Sequence, residues 1–278
     1  MRRQKQTAIL GVDFTSRPRP AKPITVAHGQ LNRSRPGLAF ELNAIESLTD
    51  WASFEALLLR SGPWIGGFDF PFGLPRAGVA DLGWPQEWHA LVTHCAAMGR
   101  ESFRAALDRD RTSRAVGSKY PHRATDLPAK SHSPFKLVNP PVGLMFFEGA
   151  PRLLAAGVDV PGLAAGDSTR IALEAYPGLA ARWITNASYK SDDRAKQTLA
   201  RTAARASIVR ALIGDGGPFG FRLRSSCNLR DSLTHDASGD RLDAVLAAMQ
   251  AAWAYHRRLR HFGLPRVIDP IEGWIVMA

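Results

Sequence analysis

Cysteine is nearly missing from this chain: Cys95 and Cys227 are the only two, far apart and without CxxC spacing. That scarcity excludes a disulfide framework and a cysteine-built zinc site, and it suits a reducing cytoplasm. Long apolar runs are missing too. The longest, Ala244 to Ala254, is interrupted by Gln250 and falls short of the ~20 apolar residues a membrane-crossing helix needs. The opening Met1 to Gln6 leads into a short apolar run that Asp13 ends, so neither a signal peptide nor a membrane span is expected. The phosphate-loop patterns G-x-x-x-x-G-K-S/T and G-x-G-x-x-G do not occur, and no G-x-S-x-G elbow marks a serine hydrolase; nucleotide hydrolysis of the phosphate-loop kinds has no support. Negative charge is the scarcer sign, with 25 Asp and Glu against 36 Lys and Arg and a net +11. A pI near 10.3 favours a polyanionic partner such as nucleic acid.

What is present suits an ordinary globular chain. Its 278 residues are 45% hydrophobic and 22% charged, with 24 Gly and 19 Pro, and a chain of this length buries roughly three quarters of its unfolded surface. Thr7 to Phe14, Pro23 to Leu31 and Leu38 to Ile45 read as three strands. Thr49-Asp50 caps a helix through Trp51, Phe54, Leu57 and Leu58, ended by Ser61-Gly62-Pro63. Trp64 to Phe70 is a fourth strand, and Pro85 to Leu107 has helical periodicity. Thr169 to Tyr176 is a fifth strand with Pro177 placed to open a helix. Helices are expected from about Asp193 to Ile213 and from Gly239 to His261, separated by a loop from Gly214 to Ser238, with a short closing strand at Glu272 to Val276. The order predicts an α/β fold: a ribonuclease H-like mixed five-stranded sheet flanked by helices, in one domain over 1–278, with a helical and loop insertion at about 85–165.

The insertion concentrates positive charge. Arg109 to Pro141 lacks periodicity and carries Lys or Arg at 109, 111, 114, 119, 123, 130 and 136 against only Asp110 and Asp126. Tyr120, His122, His132 and Phe135 are interleaved, offering flat rings for bases beside cations for phosphates. Lys119, Arg123, Lys130 and Lys136 are therefore candidate substrate contacts, with a solvated surface loop as the alternative. Arg194, Arg201 and Arg205 form a helical stripe that either tracks phosphates or faces water.

The chemistry is expected at carboxylates. Asp13 and Asp69 each end an apolar strand, where an ionised group costs free energy unless it is paired or holds a metal. Asp240 and Asp243 are three residues apart and share one face of the last helix, beside Leu242, Val245, Leu246 and Met249. Four such acids can converge on Mg²⁺ or Mn²⁺, and two ions about 3.5 to 4 Å apart drive in-line phosphodiester hydrolysis. Taken singly, Asp13 and Asp69 are also turn caps and Asp240 a helix-dipole partner. Glu174, at the end of the fifth strand, is a further candidate.

The strings GVDFTS at 11–16, GFDFPFGLP at 67–75, EAYPG at 174–178, GDRLDAVLAA at 239–248 and EGWI at 272–275 resemble the domain-of-unknown-function 429 family, a group of predicted ribonuclease H-like nucleases, over nearly the whole chain. The layout is also similar to Holliday-junction resolvases of the RuvC type. The resemblance implies Asp13 as a bridging ligand, Asp69 as the fourth-strand ligand in place of a more usual Glu, and Asp240 with Asp243 as the helix pair. It also implies that Glu174 adds reach to the site, the alternative being a contact at the entry of the helix that Pro177 opens, and that Arg123, in Arg123-Ala124-Thr125-Asp126, brings the basic loop to a phosphate. The expected activity is metal-dependent hydrolysis of DNA or RNA, the alternatives being a non-catalytic nucleic-acid-binding module of the same fold or an actin-like phosphotransferase.

Overall fold

The structure is a computed structural model describing residues 6–34 and 37–278. The basic residues Met1 to Lys5, on which the leader reading rests, lie outside the described residues. Among the described residues no helix is long and apolar enough to cross a membrane.

β1 (Ala8–Asp13) and β4 (Trp64–Asp69) are apolar along both faces and pair in parallel at the centre of the sheet, as expected of strands covered on both sides. β2 (Ile24–Ser34) and β3 (Gly37–Leu48) form a long hairpin beside β1. α1 (Trp51–Leu58) starts where expected, with the Asp50 carboxylate accepting from the Ser53 N–H at 2.8 Å. Then follow α2 (Arg76–Asp81), α3 (Trp88–Met98), α4 (Arg100–Ser113), α5 (Asp126–Ala129) and α6 (Val142–Ala156). β5 (Val158–Asp159), β6 (Asp167–Glu174), α7 (Pro177–Ile184), α8 (Leu199–Gly214), β7 (Arg222–Arg224), α9 (Cys227–His235) and α10 (Asp240–His256) complete the order.

The fold is α/β, with a mixed sheet of order β5-β6-β4-β1-β2-β3-β7 flanked by helices. β2 is the one strand that runs against its neighbours on both sides. The sheet has seven strands where five were expected, because β5 and β7, two and three residues long, extend its edges; such short pairings leave no periodicity to read. The expected strand at Glu272 to Val276 is instead an irregular segment with an isolated bridge from Ile275 to Glu174. The helix expected over Pro85 to Leu107 is divided at Gly99, whose φ of +75° ends α3 and leads into α4. α8 begins at Leu199 rather than near Asp193, capped by the Thr198 hydroxyl. The Gly214 to Ser238 loop contains β7 and α9.

Alternation along the strands divides the core in two. Leu10, Val12 and Phe68 join α1, α3, α4 and α6 on one face. Ile9, Ile65 and Leu173 join α7, α8 and α10 on the other. Most of the inserted helices therefore cover one face, and the last helix lies against the opposite one.

A candidate metal centre under the last helix

Side chains two apart on a strand share a face, so Ile9, Gly11 and Asp13 point toward α10, as do Ile65, Gly67 and Asp69. Gly11 pairs with Gly67 and Asp13 with Asp69 across the parallel ladder. The glycines let the helix in: a Cβ on Gly11 would stand 2.0 Å from the Ala244 carbonyl oxygen, and one on Gly67 would stand 2.4 Å from that of Ala247. Small residues on both partners thus bring the first turn of α10 down onto the carboxyl ends of β1 and β4. One ligand atom each from Asp13, Asp69 and Asp243 then lies within 4.8 Å of the others.

These acids are crowded, with Asp13 and Asp243 buried and Asp69 half-buried at the cleft. Burial, then the charges of Asp240 and Asp243, raise the Asp13 carboxyl well above its ordinary range, against the pull of Lys190. Burial likewise pushes Asp69 up to about 7, Lys190 again opposing and Asp243 and Glu174 adding to the rise. Asp243 is fully buried. Its Oδ1 accepts from the Tyr189 hydroxyl at 2.6 Å and its Oδ2 from the Lys190 ammonium.

The donor set fits a hard divalent cation. Carboxylate oxygens are the ligands Mg²⁺ and Mn²⁺ take, and opposite ligands on an ion with bonds of about 2.0–2.1 Å are about 4.2 Å apart. Adjacent ligands on such an ion are about 3 Å apart, so three ligand atoms within 4.8 Å of one another lie on the scale of one coordination shell and draw closer to share an ion. A cation, the Lys190 ammonium, already stands in the group.

Asp240, one turn before Asp243, lies outside that group of three. Its carboxylate receives Lys22 Nζ at 2.9 Å, and the same ammonium reaches Asp192 at 2.8 Å. Burial raises Asp240, and Lys22 pulls it back.

Glu174 and Arg123 have another role. Arg123 is 2% exposed, and all five of its N–H donors are engaged: Nε and Nη2 on Asp126, Nη1 and Nη2 on Glu174, and Nη1 also on the Glu272 carbonyl. A guanidinium so saturated has no donor left for a phosphate, which corrects the expectation for Arg123. Both Glu174 oxygens are held by Arg123, and Oε2 also accepts from the Phe72 N–H at 2.9 Å. Glu174 therefore braces the turn after Asp69, and no free oxygen of it faces the three aspartates. Glu272 extends this clasp by accepting from the Arg76 and Ala124 backbones.

The remaining basic-loop candidates are dispersed. Lys119 and Lys130 are exposed and Lys136 is half-buried, and none of the three lines the cleft over the acids. Arg114 is paired with Asp110 and Asp81. Phe135 is core, and Tyr120 packs against the core rather than offering a ring to a base. Of the loop's rings, His132 is exposed along the cleft. The Arg194–Arg205 stripe also resolves differently: Arg205 is buried and donates to the Tyr189 carbonyl at 2.6 Å, and Arg201 donates to that of Lys190 at 2.9 Å.

Asp13, Asp69 and Asp240 line an open cleft of about 1310 Å³, with Asp243 buried behind them. Arg17, Arg19, Arg194 and Arg241 are exposed at its lining, and no ion pair engages their guanidinium groups among the described residues. Sequence reasoning named Arg194 as a phosphate-tracking candidate but missed Lys22, Tyr189, Lys190 and the rest of this rim. Lys22, Arg17 and Arg19 sit in a short segment without periodicity, Arg241 shares the first turn of α10 with the two aspartates, and Tyr189-Lys190 lies in a strap between helices; only proximity in space marks them.

No protein-family model matches the chain, and neither a curated protein nor a solved structure matched it. The family resemblance rests on the motifs themselves.

Proposed function

We propose that the protein is a divalent-metal-dependent phosphodiesterase of ribonuclease H-like fold acting on nucleic acid. The observation that carries this reading is the meeting of Asp13, Asp69 and Asp243, from two adjacent strand ends and the last helix, beneath a cleft with a basic rim. An acid on the first strand, one on the fourth and others on the terminal helix is also the layout that the sequence resemblance implies. Asp13, Asp69 and Asp243 would hold Mg²⁺ or Mn²⁺, with Asp240 next to them on Lys22. A bound divalent ion supplies activation of water and neutralisation of charge on the leaving oxygen.

The chain's own groups do the positioning. The Tyr189 hydroxyl fixes one Asp243 oxygen, and the Arg123–Glu174 clasp fixes the turn that follows Asp69. Arg17, Arg19, Arg194 and Arg241 hold phosphates along the rim, a task for which guanidinium geometry is suited. This rim replaces the 109–141 loop as the substrate grip.

The deciding experiment incubates labelled single-stranded, duplex, branched and RNA–DNA hybrid substrates with the protein and Mg²⁺ or Mn²⁺, with Asp13→Asn as control. Cleavage in any lane that chelator and Asp13→Asn both abolish supports the reading. Cleavage retained in full by Asp13→Asn and Asp243→Asn sinks it. The pairing of Asp240 with Lys22 and Asp243 with Lys190 favours one second reading, a module that holds nucleic acid without cutting; binding without cleavage in every lane is its signature.

A further inference from the structure

Lys190 differs from an ordinary surface lysine in three ways. Its side chain is 43% exposed, yet its ammonium sits on the fully buried carboxylate of Asp243. Its backbone is pinned, since Arg201 and Arg205 take the Lys190 and Tyr189 carbonyls. Room for its stem is built in: Gly239, at φ +81°, lies so close that a Cβ there would come within 2.6 Å of the Lys190 Cβ. The result is a fixed root, a stem open to solvent and a charged head among acids.

We propose that Lys190 is the resident counter-cation of the Asp13/Asp69/Asp243 group, and that its ammonium exchanges with a divalent ion by rotating out into the cleft while its backbone stays in place. The inference rests on the metal reading above. One cation and one dication cannot share a group this small without strong repulsion in a largely buried setting. Without either, three crowded carboxylates are held only by protonation. In the metal-free protein the ammonium keeps Asp243 paired and aligned, and exchange delivers a second positive head to the cleft once metal enters. Lys22 does not take part, because Asp240 and Asp192 hold it outside the group of three.

The test uses amine labelling and metal binding rather than activity. The full chain is treated with an amine-reactive ester with and without Mn²⁺, and modification is read residue by residue by mass spectrometry. Lys196, whose side chain is 68% exposed, serves as the internal reference. Lys190 labelling is expected to rise several-fold with Mn²⁺ while Lys196 is unchanged. Calorimetric Mn²⁺ titration of Lys190→Met is expected to show about tenfold tighter binding than wild type, the scale of a charged hydrogen bond removed from competition; Lys22→Met is expected to change affinity less. Mn²⁺ binding to Lys190→Met but not to wild type also supports exchange. Mn²⁺ binding to wild type with Lys190 labelling and Lys190→Met affinity both unchanged overturns the exchange and leaves the metal site standing. No Mn²⁺ binding to either protein overturns both.

Discussion

Two groups of buried acids lie within one molecule, and they are built on opposite terms. In the clasp, Glu174 and Asp126 surround Arg123, whose five donors all have acceptors. In the other group, Asp13, Asp69 and Asp243 face one another, with Lys190 as their shared cation and Lys22 on Asp240. The first is buried and saturated, its donors and acceptors matched within the chain. The second sets four acids against two lysines and opens into a cleft; burial foremost, and the neighbouring carboxylates after it, push Asp13 and Asp69 up. A saturated ion network holds a structure together, whereas excess like charge at an open site calls for a further cation.

The widest separation between the two groups is expected on removing a cation. Arg123→Met leaves the Glu174 and Asp126 carboxylates buried without a counter-cation and takes a donor from the Glu272 carbonyl. A loss of about 3–5 kcal/mol is expected, read as a lower denaturant midpoint, with or without Mg²⁺. If Arg123→Met instead unfolds like wild type and loses only nucleic-acid affinity, the clasp is a phosphate site after all.

Moving the helix tests the second group through its scaffold. Gly11→Ala puts a methyl against the Ala244 carbonyl, and relief requires α10 to shift. The expected cost is about 1–3 kcal/mol, together with loss of any thermal stabilisation by Mn²⁺, because Asp243 moves with the helix. Stabilisation by Mn²⁺ that survives in Gly11→Ala would place the ion somewhere else.

A smaller effect of opposite sign is expected for Asp69→Asn. The Asp69 carboxyl is held up to about 7, foremost by burial, so its ionised form is penalised in the fold at neutral pH and the amide is not. In chelator, Asp69→Asn should be more stable than wild type by about 1–2 kcal/mol, a discounted share of the ~1.4 kcal/mol that each pKa unit represents. With Mn²⁺ the order should reverse. The clasp predicts the contrary for Glu174→Gln, which should destabilise under both conditions.

This contrast was half legible in the sequence. Asp13 and Asp69 stood out because an acid ending an apolar strand demands a reason, whereas Gly11 and Gly67, two residues before them, went unread until α10 was seen to close in over them. Asp243 followed from helical spacing. The clasp was not legible: Arg123 and Glu174 are 51 residues apart, and a count of positive charges cannot distinguish a buried, saturated guanidinium from a solvated one. The basic loop was misread for the same reason, since its rings at Tyr120 and Phe135 serve the core. Lys190 and the edge strands β5 and β7 lie in pieces too short for any period, and tertiary contacts alone give them their places.

The rim is where the comparison has its finest edge, for Arg17 and Arg241 are exposed at the cleft while Arg123, on the same lining, is buried and its donors are all engaged. A rim arginine on a phosphate releases about one counterion on binding, so Arg17→Ala and Arg241→Ala should each flatten the slope of log affinity against log salt by about 0.7–0.9. Each should weaken binding only a few-fold at moderate salt. Neither should change stability beyond about 0.5 kcal/mol, since exposed substitutions away from buried networks rarely do. Lys119→Ala, out on the loop, should leave the slope alone. Fluorescence anisotropy at four or five salt concentrations checks all three, and equal slopes for Arg17→Ala, Arg241→Ala and wild type would return the substrate to some other face.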